Sequence, residues 1–224
     1  MAVNVTLHTS FLLNCLDYLY RINLKCLSMK IALIKYNAGN IQSVIYALNR
    51  LGIEPMLTDD HEAIRGADKV IFPGVCEASS AMRSLQGKQL DQLIPTLKQP
   101  VLGICVGQQL LCQYSEENNT PCLGVFDLAV KKFPTEGQKV PQIGWNNLTQ
   151  VSGKLFDGIE PQSFVYFVHS YYTEVSPYTA AKAEYGVPFS AGLEKDNFYA
   201  VQFHPEKSSR VGSKILQNFL EKCG

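Results

Sequence analysis

The chain has 224 residues, with 20 Lys+Arg balanced by 20 Asp+Glu and a hydrophobic share of 46%. That length builds one sizeable domain with a full core. A formal charge of zero without a basic run argues against a nucleic-acid surface, and no apolar stretch is long and clean enough to span a bilayer.

Residues 1–28 carry apolar positions at roughly helical spacing (Phe11, Cys15, Tyr18, Leu19, Ile22), interrupted by Asn14, Asp17, Arg21, Asn23 and Lys25. They lack the cationic start and small-residue cleavage site of a signal peptide. Met29 then opens "MKIALIKY", a proper first strand. The expectation is that Met29 is the natural start, or that 1–28 form a peripheral extension to a domain spanning 29–224.

From Met29 the pattern alternates. "KIALIKY" is a branched apolar strand, and Ile41, Val44, Ile45 and Leu48 keep one helical face that Gly52 ends. "EPMLT" is a second strand, followed by Asp59 or Asp60 as a cap. "KVIFPG" is a third strand. Leu90, Leu93 and Leu97 mark a helix with Pro95 as a kink, and "PVLGIC" is a fourth strand leading into a helix over "GQQLLCQYS". Near-continuous apolar strands alternating with helices indicate a parallel sheet buried on both faces. After residue 120 the segments "GVFDLAVKKF", "SFVYFVHSYYTEV", "YTAAKAEYG", "PFSAGLEKD" and "FYAVQFHPE" look like strands joined by short turns, an antiparallel texture. A helix from about Ser209 to Cys223 closes the chain.

The chain has seven cysteines: Cys15, Cys26, Cys76, Cys105, Cys112, Cys122 and Cys223. The number is odd and no Cys-x-x-Cys pair occurs, so neither a disulfide scaffold nor a metal site is expected. A reducing cytoplasm suits them, most as small buried hydrophobes. Cys105 differs. It stands at the joint of "LGICVGQQLL", between an apolar strand and a helix, with Gly103 and Gly107 two residues away on each side. A residue on such a turn is pushed into strained geometry, and its shoulders must be small. The pattern is a nucleophile elbow with cysteine in place of serine. The helix N-terminus behind it favours thiolate, and free amides there can hold an oxyanion. The plainer reading is a buried cysteine flanked by packing glycines, and a base decides between them.

Four histidines are available: His8, His61, His169 and His204. His8 falls in the extension, and His61 follows Asp59-Asp60 in a polar stretch. His204 ends the strand "YAVQF" and precedes Pro205-Glu206. Residues i and i+2 of an extended chain point the same way, so Glu206 can hold the His204 ring while the ring takes the thiol proton. His169, in "FVHSYY", is a rival base without an adjacent carboxylate and fits a hydrogen-bonded histidine within a sheet.

Cys105 in G-x-C-x-G-x-Q together with "FHPE" resembles the class I, triad-type glutamine amidotransferases. The order of "GNIQSV", "FPGV", "PQIGWNN", "FVHSYY" and "VQFHPEKSS" is similar to the glutaminase subunits of imidazole glycerol phosphate synthase, from about Met29 to the C-terminus. The resemblance implies an α/β, flavodoxin-like fold: a mostly parallel central sheet with helices on both faces and added antiparallel strands in the C-terminal half. It implies Cys105 as nucleophile, His204 as base and Glu206 as its partner. Gly74, Val75 and Val106 would serve the oxyanion, and Gln109, Ser170 and Tyr171 would bind L-glutamine. Asn40, Trp145, Asn146, Tyr166 and Lys207 would face a partner, where bland roles also exist: a cap for Asn40, a core residue for Trp145, a solvated charge for Lys207. No cofactor is implied. The partner would be a TIM-barrel cyclase, forming a heterodimer that uses ammonia to make imidazole glycerol phosphate and AICAR in histidine biosynthesis. The family's usual Pro-Gly-Val-Gly reads Pro73-Gly74-Val75-Cys76 here, which puts the oxyanion loop in question. Two alternatives stand beside this reading. One is a glutaminase serving anthranilate, aminodeoxychorismate, GMP or pyridoxal phosphate synthesis; the other is a scaffold that binds a partner without turnover.

Overall fold

A computed structural model describes residues 29–36 and 41–224. The expected extension 1–28 and Asn40 lie outside the described residues. The apolar run at the start of the domain forms β1 (Ile31–Ile34), every residue of it buried. Helix α1 (Gln42–Asn49) buries Val44, Ala47 and Leu48, and leads to β2 (Met56–Thr58). Asp60 caps α2 (His61–Arg65): its Oδ1 accepts from the Ala63 amide at 2.7 Å. The strand β3 (Lys69–Gly74) follows, then α3 (Ala78–Gly87), α4 (Leu90–Leu93) and a 3₁₀ turn at Ile94–Thr96. Pro95 sits in that turn, where its missing N–H removes a helical bond and the helix over Leu90–Leu97 tightens instead of continuing.

β4 (Val101–Cys105) runs directly into α5 (Val106–Leu111). The expected helix over 107–115 is cut short. Cys112–Ser115 forms β5, pairing in parallel with β7 (Phe126–Lys132) and antiparallel with β6 (Thr120–Pro121). Ladder bonds to a second sheet thus override the local helical pattern, with β11 (Tyr171–Thr173) completing that sheet on the far side of β7.

The main sheet has eight strands in the order β2-β1-β3-β4-β14-β13-β12-β9, where β9 is Gln150–Val151, β12 Thr179–Tyr185, β13 Val187–Lys195 and β14 Phe198–Val201. From β2 to β14 neighbours pair in parallel; from β14 to β9 they pair antiparallel. Every residue of β1, β3, β4 and β14 is buried, so the parallel half is covered on both faces. A separate two-stranded sheet pairs β8 (Gln142–Asn147) antiparallel with β10 (Phe164–His169). Helix α6 (Ser209–Lys222) buries Ile215, Leu216, Phe219 and Leu220. No described helix is long and apolar enough to cross a membrane. The C-terminal ends of β3, β4 and β14 meet at one edge, where Gly74 pairs with Cys105 and Val201 with Ile104. In doubly wound folds ligands bind at that edge.

Candidate active site

Cys105 adopts φ 54° and ψ −110° at the junction of β4 and α5. A residue with a Cβ in left-handed φ costs about 1 kcal/mol or more, so surrounding structure must hold it there. The two flanking glycines supply that support through close contact rather than flexibility. A Cβ on Gly107 would lie 2.0 Å from Phe72 O. One on Gly103 would lie 2.7 Å from Leu111 Cδ1 and 3.0 Å from the Gly107 carbonyl. Helix α5 leaves the sheet so close to β3 and β4 that only hydrogen fits at either position.

Cys105 is almost wholly buried and lines a cavity of about 370 Å³. His204 lines the same cavity. Its Nδ1 lies 2.8 Å from Glu206 Oε1, which turns Nε2 toward the sulfur. Burial pulls the His204 ring down, but the adjacent Cys105 sulfur and the Glu206 carboxylate outweigh it and raise the ring to about 10. The turn that carries His204 is clamped from both ends. His204 N donates to Tyr166 O at 2.9 Å, Ser208 Oγ donates to His204 O at 2.7 Å, and Tyr166 N donates to the same hydroxyl at 2.9 Å.

His169 also borders the cavity, yet both of its ring nitrogens are engaged within the protein. Nδ1 lies 2.7 Å from Tyr171 O and Nε2 2.9 Å from the Gln142 amide. Burial lowers its pKa to about 4 and keeps the ring neutral. It packs among Phe133, Phe167 and Phe189 as a sheet histidine.

The other implied residues distribute as follows. Gln109, Ser170 and Tyr171 line the cavity, as do Val75, Val106 and Lys207. Gln109 is buried, and its Nε2 donates to Tyr171 O at 3.1 Å and to Gln202 Oε1 at 2.9 Å, so Oε1 is the atom it can offer a ligand. Gly74 stands beside Cys105 in the β3–β4 ladder. Behind it, buried Tyr36 donates its hydroxyl to Pro73 O at 2.5 Å and fixes the strand end from which Val75 and Cys76 emerge. Trp145 and Tyr166 lie elsewhere, as a cross-strand pair on the β8–β10 sheet with rings 5.9 Å apart. Their face also exposes Ile143, Phe164 and Val168, a contiguous apolar surface. The Asn146 side chain turns off that face to donate to Glu184 O at 2.8 Å.

Three groups at the site escaped the sequence reading. Glu77 and Glu117 line the cavity and make one wall acidic; burial raises the Glu117 carboxyl while its Oε2 accepts from Ala78 N at 2.7 Å. Gln202, fully buried, lies against the sulfur. Its spacing two residues before His204 in "QFH" was a usable signal. The remaining described thiols are poor nucleophiles: burial pushes Cys112, Cys122 and Cys223 up to about 12 and raises Cys76. The arrangement brings together a thiol on the elbow, a histidine ring, a buried carboxylate bound to that ring and an acidic wall suited to an ammonium group.

Comparison with known proteins gives matches along nearly this whole span. The family model for glutamine amidotransferase class-I matches residues 32–223. An imidazole glycerol phosphate synthase subunit HisH from Bacteroides fragilis (strain YCH46) is 56% identical over 195 residues, covering 86% of this chain and 100% of that one. A protein of the same name from Haemophilus influenzae (strain ATCC 51907 / DSM 11121 / KW20 / Rd) is 45% identical over 195 residues, covering 87% and 98%. Among solved structures, a glutamine amidotransferase of Thermotoga maritima superposes with a TM-score of 0.59 at 18% identity, covering 85% of this chain and 82% of that one. At that identity the likeness speaks for the fold.

Proposed function

The chain belongs to the class-I glutamine amidotransferases, and from that premise we propose that it is the glutaminase subunit of imidazole glycerol phosphate synthase, with Cys105, His204 and Glu206 as its catalytic triad. It hydrolyses L-glutamine to glutamate and ammonia. The substrate's α-ammonium lies against Glu77 and Glu117, and Gln109 Oε1, Ser170 and Tyr171 hold its amino-acid end. Cys105 Sγ attacks the side-chain amide carbon. The oxyanion that forms lies between the loop after Gly74 and the Val106 amide, whose N–H has no intrahelical acceptor. His204 takes the thiol proton and delivers it to the departing nitrogen, so the C–N bond breaks, ammonia leaves and a glutamyl thioester remains. His204 then activates water, which releases glutamate and restores the thiol. Glu206 keeps the ring in the required tautomer throughout.

The chain works as one subunit of a complex, and the ammonia acceptor is a separate cyclase of TIM-barrel fold. Ammonia freed into neutral water would protonate and lose its nucleophilicity, so the acceptor must cover the site. Trp145, Tyr166 and Lys207 form the docking region, with Lys207 at the cavity rim. The reducing cytoplasm is the compartment that suits its free thiols.

What carries this reading is one observation: Cys105, held at φ 54° on the elbow, shares a cavity with a histidine whose other nitrogen is bound by a buried carboxylate. The test is to mix the chain with the cyclase and the cyclase's ligand and to measure glutamate release. Glutamine-dependent turnover is expected. Turnover only with an anthranilate, GMP or pyridoxal phosphate acceptor would move the chain to a sister enzyme, and none with any acceptor would leave a scaffold.

A further inference from the structure

The Cys105 sulfur has two partners besides His204, and they differ in kind. Val168 O, an acceptor, lies 3.8 Å away. Gln202 Nε2, a donor, also lies 3.8 Å away. The thiol can use the carbonyl, but the thiolate can use only the amide.

Gln202 follows β14 directly. Continuing the Val201–Ile104 pairing by one residue puts it beside Cys105, and its own N–H donates to Ala191 O at 2.9 Å. Its side chain has no exposed surface. The orientation of its amide is set by a chain of contacts that starts at a backbone carbonyl. Tyr171 O only accepts, so the Gln109 amide must present nitrogen to it. That same nitrogen lies 2.9 Å from Gln202, which must therefore answer with oxygen. Gln202 then has only its NH₂ left to face the sulfur. Reversing the Gln202 amide would set N–H against N–H at one end and oxygen against a thiolate at the other. A backbone carbonyl thus dictates that the buried group beside the nucleophile is a donor.

We infer that Gln202 is a positioning residue for the reaction: it holds the Cys105 thiolate by an N–H···S hydrogen bond and couples it, through Gln109, to the pocket that takes the amino-acid end of glutamine. This rests on Cys105 being the nucleophile. A hydrogen bond to a charged partner is worth about tenfold or more in an equilibrium, so its loss should be visible in how readily the thiol ionises. The contact also ties the sulfur's direction to the same side chain that meets substrate. Gln109 cannot move to accept a ligand without disturbing the group that holds the nucleophile.

The experiment is pulse alkylation of the full chain with iodoacetamide across roughly pH 5 to 9. Peptide mass spectrometry reads the rate at Cys105 against Cys112, Cys122 and Cys223. Alkylation needs no glutamine and so reads the thiol alone. In Gln202→Met, which keeps the length and removes the donor, the Cys105 profile should move up by about one pH unit, with neutral-pH reactivity falling about tenfold. Glutaminase kcat with the partner should fall in step. If Gln202→Met fails to bind the partner, as a misfolded chain would, Gln202→Leu serves instead: it also lacks a donor, is smaller at the same buried position, and should move the profile by a similar amount. A folded variant with an unshifted Cys105 profile overturns the inference while leaving the nucleophile in place. If Cys105 is not the fast-reacting thiol in the unaltered chain, the nucleophile assignment fails first, and this inference falls with it.

Discussion

His204 Nδ1 and Glu206 Oε1 are 2.8 Å apart, with the two side chains only 4% and 3% exposed. A pair so shielded from water should work as a unit with the sulfur in front of it, so the losses from removing single members should not add. Cys105→Ala or Cys105→Ser should lower glutamine hydrolysis at least about a thousandfold, and His204→Ala nearly as much. Glu206→Gln should be roughly a hundredfold milder, because it leaves the base in place. Each variant should still bind the partner. Glutamate release by the assembled enzyme is the measurement, and substantial turnover by Cys105→Ala would falsify the triad.

Gly74 and Cys76 bracket the loop assigned to the oxyanion, and they should respond differently. A Cβ on Gly74 would meet Tyr36 Oη at 2.7 Å, Val106 Cβ at 2.9 Å and Gly107 N at 3.0 Å. Tyr36 cannot give way without breaking its bond to Pro73 O. Gly74→Ala should therefore cost about 1–3 kcal/mol in denaturant unfolding and remove most activity. Cys76 is partly buried at the cavity edge, and its raised thiol only packs. Cys76→Gly should change turnover less than about threefold. A large gain in partner-stimulated activity from Cys76→Gly would mean that its Cβ handicaps the loop.

The two site histidines predict opposite pH behaviour in separate windows. Burial lowers His169 from 6.5 to about 4, so between those values the unfolded chain binds the extra proton and stability falls as pH falls. His204 is raised from 6.5 to about 10, so its contribution is complete below 6.5 and is lost as pH rises toward 10. Between about pH 7.5 and 6 it opposes His169, because only the folded state already holds its proton there, and well below 6.5 it is protonated in both states and adds no slope. Stability should drop by about 2 kcal/mol between about pH 7.5 and 5 on account of His169. Urea titrations of the unaltered chain and His169→Gln isolate this term as a difference. Parallel pH curves would contradict a neutral buried His169.

Trp145 is 53% exposed, and its neighbours Ile143 and Phe164 are 64% and 57% exposed. An aromatic at the centre of such a face is the kind of residue that dominates an interface. Trp145→Ala should weaken partner binding at least about tenfold and reduce partner-stimulated turnover, with the melting temperature little changed. Calorimetric titration with the cyclase reads the first effect. Unchanged affinity would place the interface elsewhere.

The parts of this site that could be read in the sequence are those whose determinants are local. The elbow is a pentapeptide, and the His204–Glu206 contact spans two residues of extended chain. The strands of the parallel half announce themselves because they are apolar throughout. Other features rest on distant partners. Gln202 meets Gln109 across 93 residues, and no short motif encodes that meeting. Glu117 reaches the cavity because β5 leaves the expected helix to join a second sheet, which the pattern at Cys112–Ser115 does not reveal. Helix α3 escapes the sequence reading although its buried Ala78, Ala81, Met82 and Leu85 keep the i, i+3, i+4, i+7 spacing: two of the four are alanines, so the apolar stripe is faint.

Tyr166 gives its backbone N–H to Ser208 and its carbonyl to His204. The same residue turns its ring outward, beside Trp145. A push on the outer surface and the setting of the base are therefore separated by one residue's thickness, without an intervening loop to absorb the motion. The hydroxyl of Ser208 is the hinge pin of this lever, gripping strand and turn at once. A neighbour that leaned on this strand pair would bear on the turn that sets His204, so docking there would reach the ring as a displacement before any ligand had to travel to it.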